Sequence, residues 1–202
     1  MSAYRNFVVD FPNRCLELLD HYEADAATQE REVTFLLLVA TSAFVVPFER
    51  LKDGHPSKDS LQLEGASVRL KKLLGTPCAK SEFIPKHGKN WLHGLIATFG
   101  DGPDTWPPSN VSVEEEPVDY VLSTIRNALA HGNLYTHGEP IRSLVFYSEK
   151  HEGFGPDSVM VGYKHLTVPV MELGEFLLSW LRLLRTLGPS YGAALDEIAK
   201  AA

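Results

Sequence analysis

The apolar run from Val33 to Phe48, VTFLLLVATSAFVVPF, sets the first limit on the fold. It lies between Glu32 and Glu49, contains Pro47, and falls short of the ~20 apolar residues that a bilayer-spanning helix needs. A core helix is therefore expected, with an N-cap at Thr28, Gln29 and Glu30 in its first turn, and an end near Leu51. No membrane partner is expected.

Further helices follow from spacing. Tyr4, Phe7, Val8, Phe11, Cys15, Leu18, Leu19 and Tyr22 recur in steps of three and four, which lines one helix face, and Pro12 predicts a kink or a restart. A looser stripe of Leu61, Leu63, Val68, Leu70, Leu73 and Leu74 predicts a third helix ended by Gly75 and Pro77. Glu114, Glu115 and Glu116 suit the positive end of a helix and Pro117 suits its first position, so another helix is expected with Val118, Leu122, Ile125 and Leu129 buried. The next begins around Pro169, with Leu173, Phe176, Leu177, Trp180, Leu184 and Leu187 inward. A short helix from Tyr191 to Ala199 closes the chain.

Between these lie two β-rich runs, RSLVFYSE and SVMVGYKHLTV, joined by KHEGFGPD, which predict an antiparallel β-hairpin at about residues 141–168. The aromatic patch from Trp91 to Phe99 reads as one more helix, and FGDGPDTWPPSN as loop. Repeats, low-complexity tracts and linkers are absent, so residues 1–202 are expected to form one domain, mostly α, with the hairpin inserted.

Composition removes several function classes. The net charge of −7 argues against a surface that coats nucleic acid, which needs clustered Lys and Arg. The densest basic segment gathers Lys80, Lys86, His87 and Lys89. MSAYRNFVVDF lacks a charged region followed by a long apolar one, so no secretory signal and a cytoplasmic location are expected. Cys15 and Cys78 stand apart without a CxxC, which predicts buried free thiols first and a disulfide second. The eight histidines are scattered, and His87 and His93 lack neighbouring carboxylates or thiolates, so no metal and no cofactor are expected. Hydrolase chemistry on Ser or Cys has no GxSxG to rest on.

The segment VLSTIRNALAHGNLY, residues 121–135, carries the remaining chemistry. Turning about 100° per residue from the buried stripe, His131 falls opposite the core, with Asn127 one turn before it and Tyr120 and Ser123 beside them. Arg126 flanks the core, where its stem can lie on apolar surface. Capping alone explains these residue types, because a cation suits a helix C-terminus and Gly132 and Asn133 suit the positions beyond it.

The wording of IRNALAHGN goes further, because it resembles the signature of the HEPN superfamily: an Arg, four to six residues, and a His, often with a polar residue after the Arg. Arg126, Asn127 and His131 stand at those positions, and REVTFLLLVATSAFVVPFERL resembles the helix that packs behind the motif. The resemblance covers the helices from Tyr4 to about Leu187; the hairpin and the Lys80–Lys89 segment look like additions.

The resemblance implies a HEPN-like helical bundle and a metal-independent endoribonuclease in which Arg126, Asn127 and His131 are the candidate catalytic residues. His131 would move a proton, to or from the ribose 2′-hydroxyl or the leaving oxygen, and Arg126 would stabilise the phosphorane. Asn127 would orient the phosphate or the imidazole. Arg126 and His131 lie about 140° apart on an ideal helix, so a homodimer with a composite site is implied. An RNA substrate, a regulatory protein partner and a toxin or defence setting belong to the same implication. The alternative is a non-catalytic HEPN module that binds a protein partner or a nucleotide. Lys80, Lys86, Lys89 or Arg142 near His131 would favour the nuclease.

Overall fold

The structure, a computed structural model, describes residues 7–51, 61–81, 90–98, 106, 111–153 and 157–187. Among them five helices, α1 (Phe7–Thr28), α2 (Glu32–Leu51), α3 (Leu61–Leu74), α4 (Val118–His131) and α5 (Val170–Leu187), accompany one sheet. Its strands are β1 (Leu92–Ile96), β2 (Val111–Ser112), β3 (Leu134–His137), β4 (Ser143–Glu152) and β5 (Val159–Pro169), in the order β2-β1-β5-β4-β3 and antiparallel throughout.

The chain is helix-rich, as its periodicities predict, but the hairpin is no appendage. β4 and β5 form it within three residues of the expected runs, and then recruit β1 on one side and β3 on the other. The patch expected to be a helix at Trp91–Phe99 therefore holds strand β1, Leu92–Ile96. Pairing from Leu92↔Thr167 to Ile96↔Tyr163 satisfies the open edge of β5, and a segment this short gains more from a waiting edge than from an isolated helix.

The first two helices divide later than expected. Thr28 ends α1, its hydroxyl donating to the Ala24 carbonyl at 2.9 Å. EADAA extends the first helix because Ala and Glu are strong helix formers, and the turn follows at Glu30, whose φ is 55°. Pro12 lies inside α1 and Pro47 inside α2. The expected Tyr191–Ala199 helix, the loop around Trp106 and most of the Lys80–Lys89 segment fall outside the described residues.

One hydrophobic core joins helices and sheet. Phe44 stacks with Phe176 at 5.4 Å and with Trp180 at 5.6 Å, and the Trp180 indole donates to the Ala43 carbonyl at 2.8 Å, locking α5 onto α2. The Trp91 ring meets Phe176 edge-on at 5.0 Å. Leu144 and Phe146 of β4 and Leu166 and Val168 of β5 bring one sheet face into this core. Cys15 and Cys78 are buried free thiols, pushed up to about 11 and about 12, Cys15 by burial and Cys78 by burial and then the Glu116 charge.

The opposite sheet face carries a second cluster. Ile96, Trp106 and Val145 pack there with Tyr135, Tyr147 and Tyr163, and the buried His165 ring lies 5.2 Å from Trp106. Burial, and then the charge of His93, lowers the His165 pKa. The unfolded chain therefore binds the proton more readily, so His165 contributes full stability above its ordinary value of 6.5 and loses it as pH falls from there through the lowered folded value. Urea midpoints measured from pH 8 to pH 5 should show a fall for the parent chain that is smaller in His165→Gln.

The β4–β5 ladder carries one bulge. Lys150 pairs with Gly162 and His151 with Met160, which leaves Val161 as the extra residue. Gly162 has φ 150°, and a Cβ there would press into the Ile96 carbonyl of β1. Gly162→Ala should destabilise the fold by about 1–3 kcal/mol through backbone strain alone, read as a lower urea midpoint.

Candidate functional site

Helix α4 sets the site, and its placement begins at its first residue. Pro117 is the N-cap, after a 3-10 turn at Val113–Glu115, so the three glutamates stand ahead of the helix and Asp119 is the acid of its first turn. The Val118 N–H donates to the Thr76 carbonyl at 2.9 Å, which anchors the helix start to the end of α3. Val118, Val121, Leu122, Thr124, Ile125 and Ala128 are fully buried and Leu129 nearly so. Two faces are covered, because α4 lies between α2 on one side and β4 and β5 on the other.

The polar face is covered along part of its length, because the sheet of the same chain meets Tyr120 and Ser123. Lys164 of β5 donates to Ser123 Oγ at 2.9 Å and lies 5.1 Å from the Tyr120 ring centre. His93 of β1 approaches the Tyr120 hydroxyl at 3.3 Å through Nδ1 and Glu116 at 3.7 Å through Nε2. Burial pulls the Lys164 pKa down against the opposing charge of Asp119, with Arg126 adding to the decrease. The Tyr120 hydroxyl is pushed upward by burial and then by Glu116.

The last turn is open. The helix ends at His131, and Gly132 takes the left-handed conformation at φ 70° and ψ 21° with its N–H on the Ala128 carbonyl. The Asn133 N–H donates to the same carbonyl at 2.8 Å, so the left-handed end is closed by two bonds to Ala128, and the Asn133 carbonyl accepts from the Tyr147 N–H at 3.1 Å. The chain thereby turns onto β4 and leaves His131 exposed beside the sheet edge.

A cavity of about 340 Å³ lies at that corner, lined by Asn127, His131, Asn133, Ser148, Glu149 and His151. It exists because β3 stops short: pairing ends at Leu134↔Phe146, while β4 continues to Glu152 with no strand paired to that edge among the described residues. Alternation along β4 puts Ser148 on the α4 side, opposite Lys164, and Glu149 with His151 on the other. His151 Nε2 is 2.9 Å from Glu149 Oε2, and Ser158 Oγ is 3.3 Å from His151 Nδ1.

Asn127 and His131 thus share one cavity, and Arg126 is outside it. Its guanidinium carbon sits 5.2 Å from the centre of the Phe48 ring of α2, as a side chain flanking the core should. Lys80 is exposed at the end of the 3-10 turn Cys78–Lys80, and Lys86, His87 and Lys89 lie outside the described residues. Arg142 precedes β4 at the end opposite His151, roughly 30 Å away along an extended strand, and does not serve this cavity.

A family model described as HEPN pEK499 p136 matches residues 1–188, all five helices and the whole sheet included. The chain belongs to this HEPN family. No curated protein and no solved structure gives a match. The HEPN resemblance read from IRNALAHGN is thereby established at the level of the family. In this HEPN chain the motif helix is buried on two sides, and the end that carries His131 is open to solvent.

Sequence reasoning missed Ser148, Glu149 and His151. Their signal was present in YSEKHE, where a carboxylate and a histidine two apart fall on one side of a strand, but nothing local says that this strand passes the end of α4. Among the described residues no three His, Cys, Asp or Glu side chains cluster as a metal would need, and no helix is long and apolar enough to cross a membrane. Gly132 is the position on which the corner depends. No atom crowds its missing Cβ, so Gly132→Ala should cost about 1–2 kcal/mol for its backbone conformation alone, and Gly132→Asn less, by chemical denaturation.

Proposed function

We propose that this HEPN protein is a metal-independent endoribonuclease, and that His131 and Asn127 serve its reaction centre. The observation that carries the reading is the opening of both residues into one polar cavity at the end of the helix that bears the motif. A volume of about 340 Å³ falls within the range of small-ligand sites and accommodates a sugar and its phosphate. A histidine carries protons near neutral pH, and the attacking 2′-hydroxyl comes with the RNA, so the reaction needs no metal-activated water. Arg126, placed over Phe48 and always charged, then serves a composite site in a homodimer, where it stabilises the phosphorane formed beside the other protomer's His131. A toxin or defence setting with a regulatory protein partner completes the proposal.

The second reading, a non-catalytic module for a protein partner or nucleotide, is favoured by the net charge of −7 and by a cavity lining that includes Glu149 but neither Lys nor Arg. Cleavage separates the two. The purified protein should cut single-stranded RNA in EDTA at an undiminished rate, leave DNA intact and sediment as a dimer. His131→Ala and Arg126→Ala should each lower the rate by about 10²- to 10⁴-fold with helicity retained, because His131 is exposed and Arg126 only half-buried. Cleavage by His131→Ala at the parent's rate would hand the function to the interaction module.

A further inference from the structure

The reaction at a 2′-hydroxyl needs two proton transfers, one from the nucleophile and one to the leaving oxygen, yet the motif of each protomer supplies a single histidine. The cavity contains a second. His151 shares it with His131 and Asn127, and it is held at both ring nitrogens, Nε2 by Glu149 at 2.9 Å and Nδ1 by Ser158 at 3.3 Å. A bare surface ion pair would explain little here, because the two side chains are 44% and 57% exposed, and pairs so exposed contribute little to stability.

The tautomer follows from the partner. An ionised carboxylate only accepts, so the nitrogen facing Glu149 carries the proton, and the lone pair of the neutral ring resides on Nδ1. Ser158, whose hydroxyl donates or accepts as required, yields that nitrogen to a better donor. A histidine oriented in this way by a carboxylate is arranged as a general base, since the carboxylate also stabilises the imidazolium that forms.

A second, independent feature points to a ligand. Ser148, which lines the same cavity from the α4 side, is 3% exposed, and among the described residues its Oγ has no hydrogen-bond partner. Burying a hydroxyl without a partner is unfavourable, so such a group calls for a bound polar atom. A phosphate oxygen would provide one.

Building on the ribonuclease reading above, we infer that His151 is the general base of this site, with Glu149 as its positioning residue, Ser148 as a donor to the bound phosphate, and His131 as the general acid. His151 Nδ1 takes the proton of the ribose 2′-hydroxyl as the 2′-oxygen forms its bond to phosphorus. The bond from phosphorus to the 5′-oxygen breaks, and the imidazolium of His131 gives its proton to that oxygen. The products are a 2′,3′-cyclic phosphate and a 5′-hydroxyl, the net charge on phosphorus is unchanged, and exchange with water resets both rings. The acid and the base then come from one protomer, and the partner's contribution is the charge of its Arg126.

An RNA with sulfur in place of the scissile 5′-bridging oxygen separates the roles, because a thiolate departs without being protonated. On ordinary RNA, His151→Ala and His131→Ala should each lose about 10²- to 10⁴-fold in rate. On the sulfur substrate His131→Ala should recover towards the parent, while His151→Ala should stay slow. His151→Gln, which keeps a polar side chain of similar reach but cannot carry the proton, should match His151→Ala. Glu149→Gln should lower kcat at unchanged KM, and Ser148→Ala should raise KM. If the parent and His151→Ala cut both substrates equally, this assignment falls and the ribonuclease reading stands; recovery of His151→Ala on sulfur overturns its role as base. A parent chain that cuts neither substrate takes down both readings together.

Discussion

The burial of α4 on two sides is the constraint from which the rest of the molecule follows. Val118, Leu122 and Ile125 and their neighbours are withdrawn from water between α2 and the β4–β5 face, and each large apolar side chain so placed is worth about 1.5–3 kcal/mol. A helix gripped along its length in this way has no freedom of register. Its exposed chemistry is therefore confined to its ends, Asp119 in the first turn and His131 in the last, where Gly132 reverses the chain.

The same burial separates the residues of the motif. Arg126 stands where α4 meets α2, so its stem and guanidinium lie against Phe48. Asn127 is the next residue around the helix and His131 lies one turn further on, and both face the open corner. A helix that were merely amphipathic would leave a whole polar face available, Tyr120 and Ser123 included. Lys164 and His93 close that upper part from the sheet side. What remains open is bounded by a strand edge that β3 is too short to cover.

Length mismatches of this kind are how the fold produces a cavity. β4 extends past its pairing with β3 at Phe146, and the chain passes from α4 to β3 in the two residues Gly132 and Asn133. A longer β3 would satisfy the edge and fill the corner. Pairing resumes past the bulge at Val161, with His151 opposite Met160 and Glu152 opposite Val159, so Glu149 and His151 belong to a paired strand rather than to a loose turn.

The helices, the β4–β5 hairpin, the buried stripe of α4 and the positions of Arg126, Asn127 and His131 were legible in the sequence, because periods of 3.6 and 2 and the residues that end helices are local properties. The family was legible for a related reason: IRNALAHGN is a contiguous word. The identity of β1 was not, since Trp91–Phe99 has no strand period strong enough to outweigh its helical reading, and only the free edge of β5 decided it. Nor could the sequence place Ser148, Glu149 and His151 beside His131, because that proximity depends on where α4 ends relative to β4. Tertiary packing sets that distance by burying both faces of α4, and no local pattern encodes it.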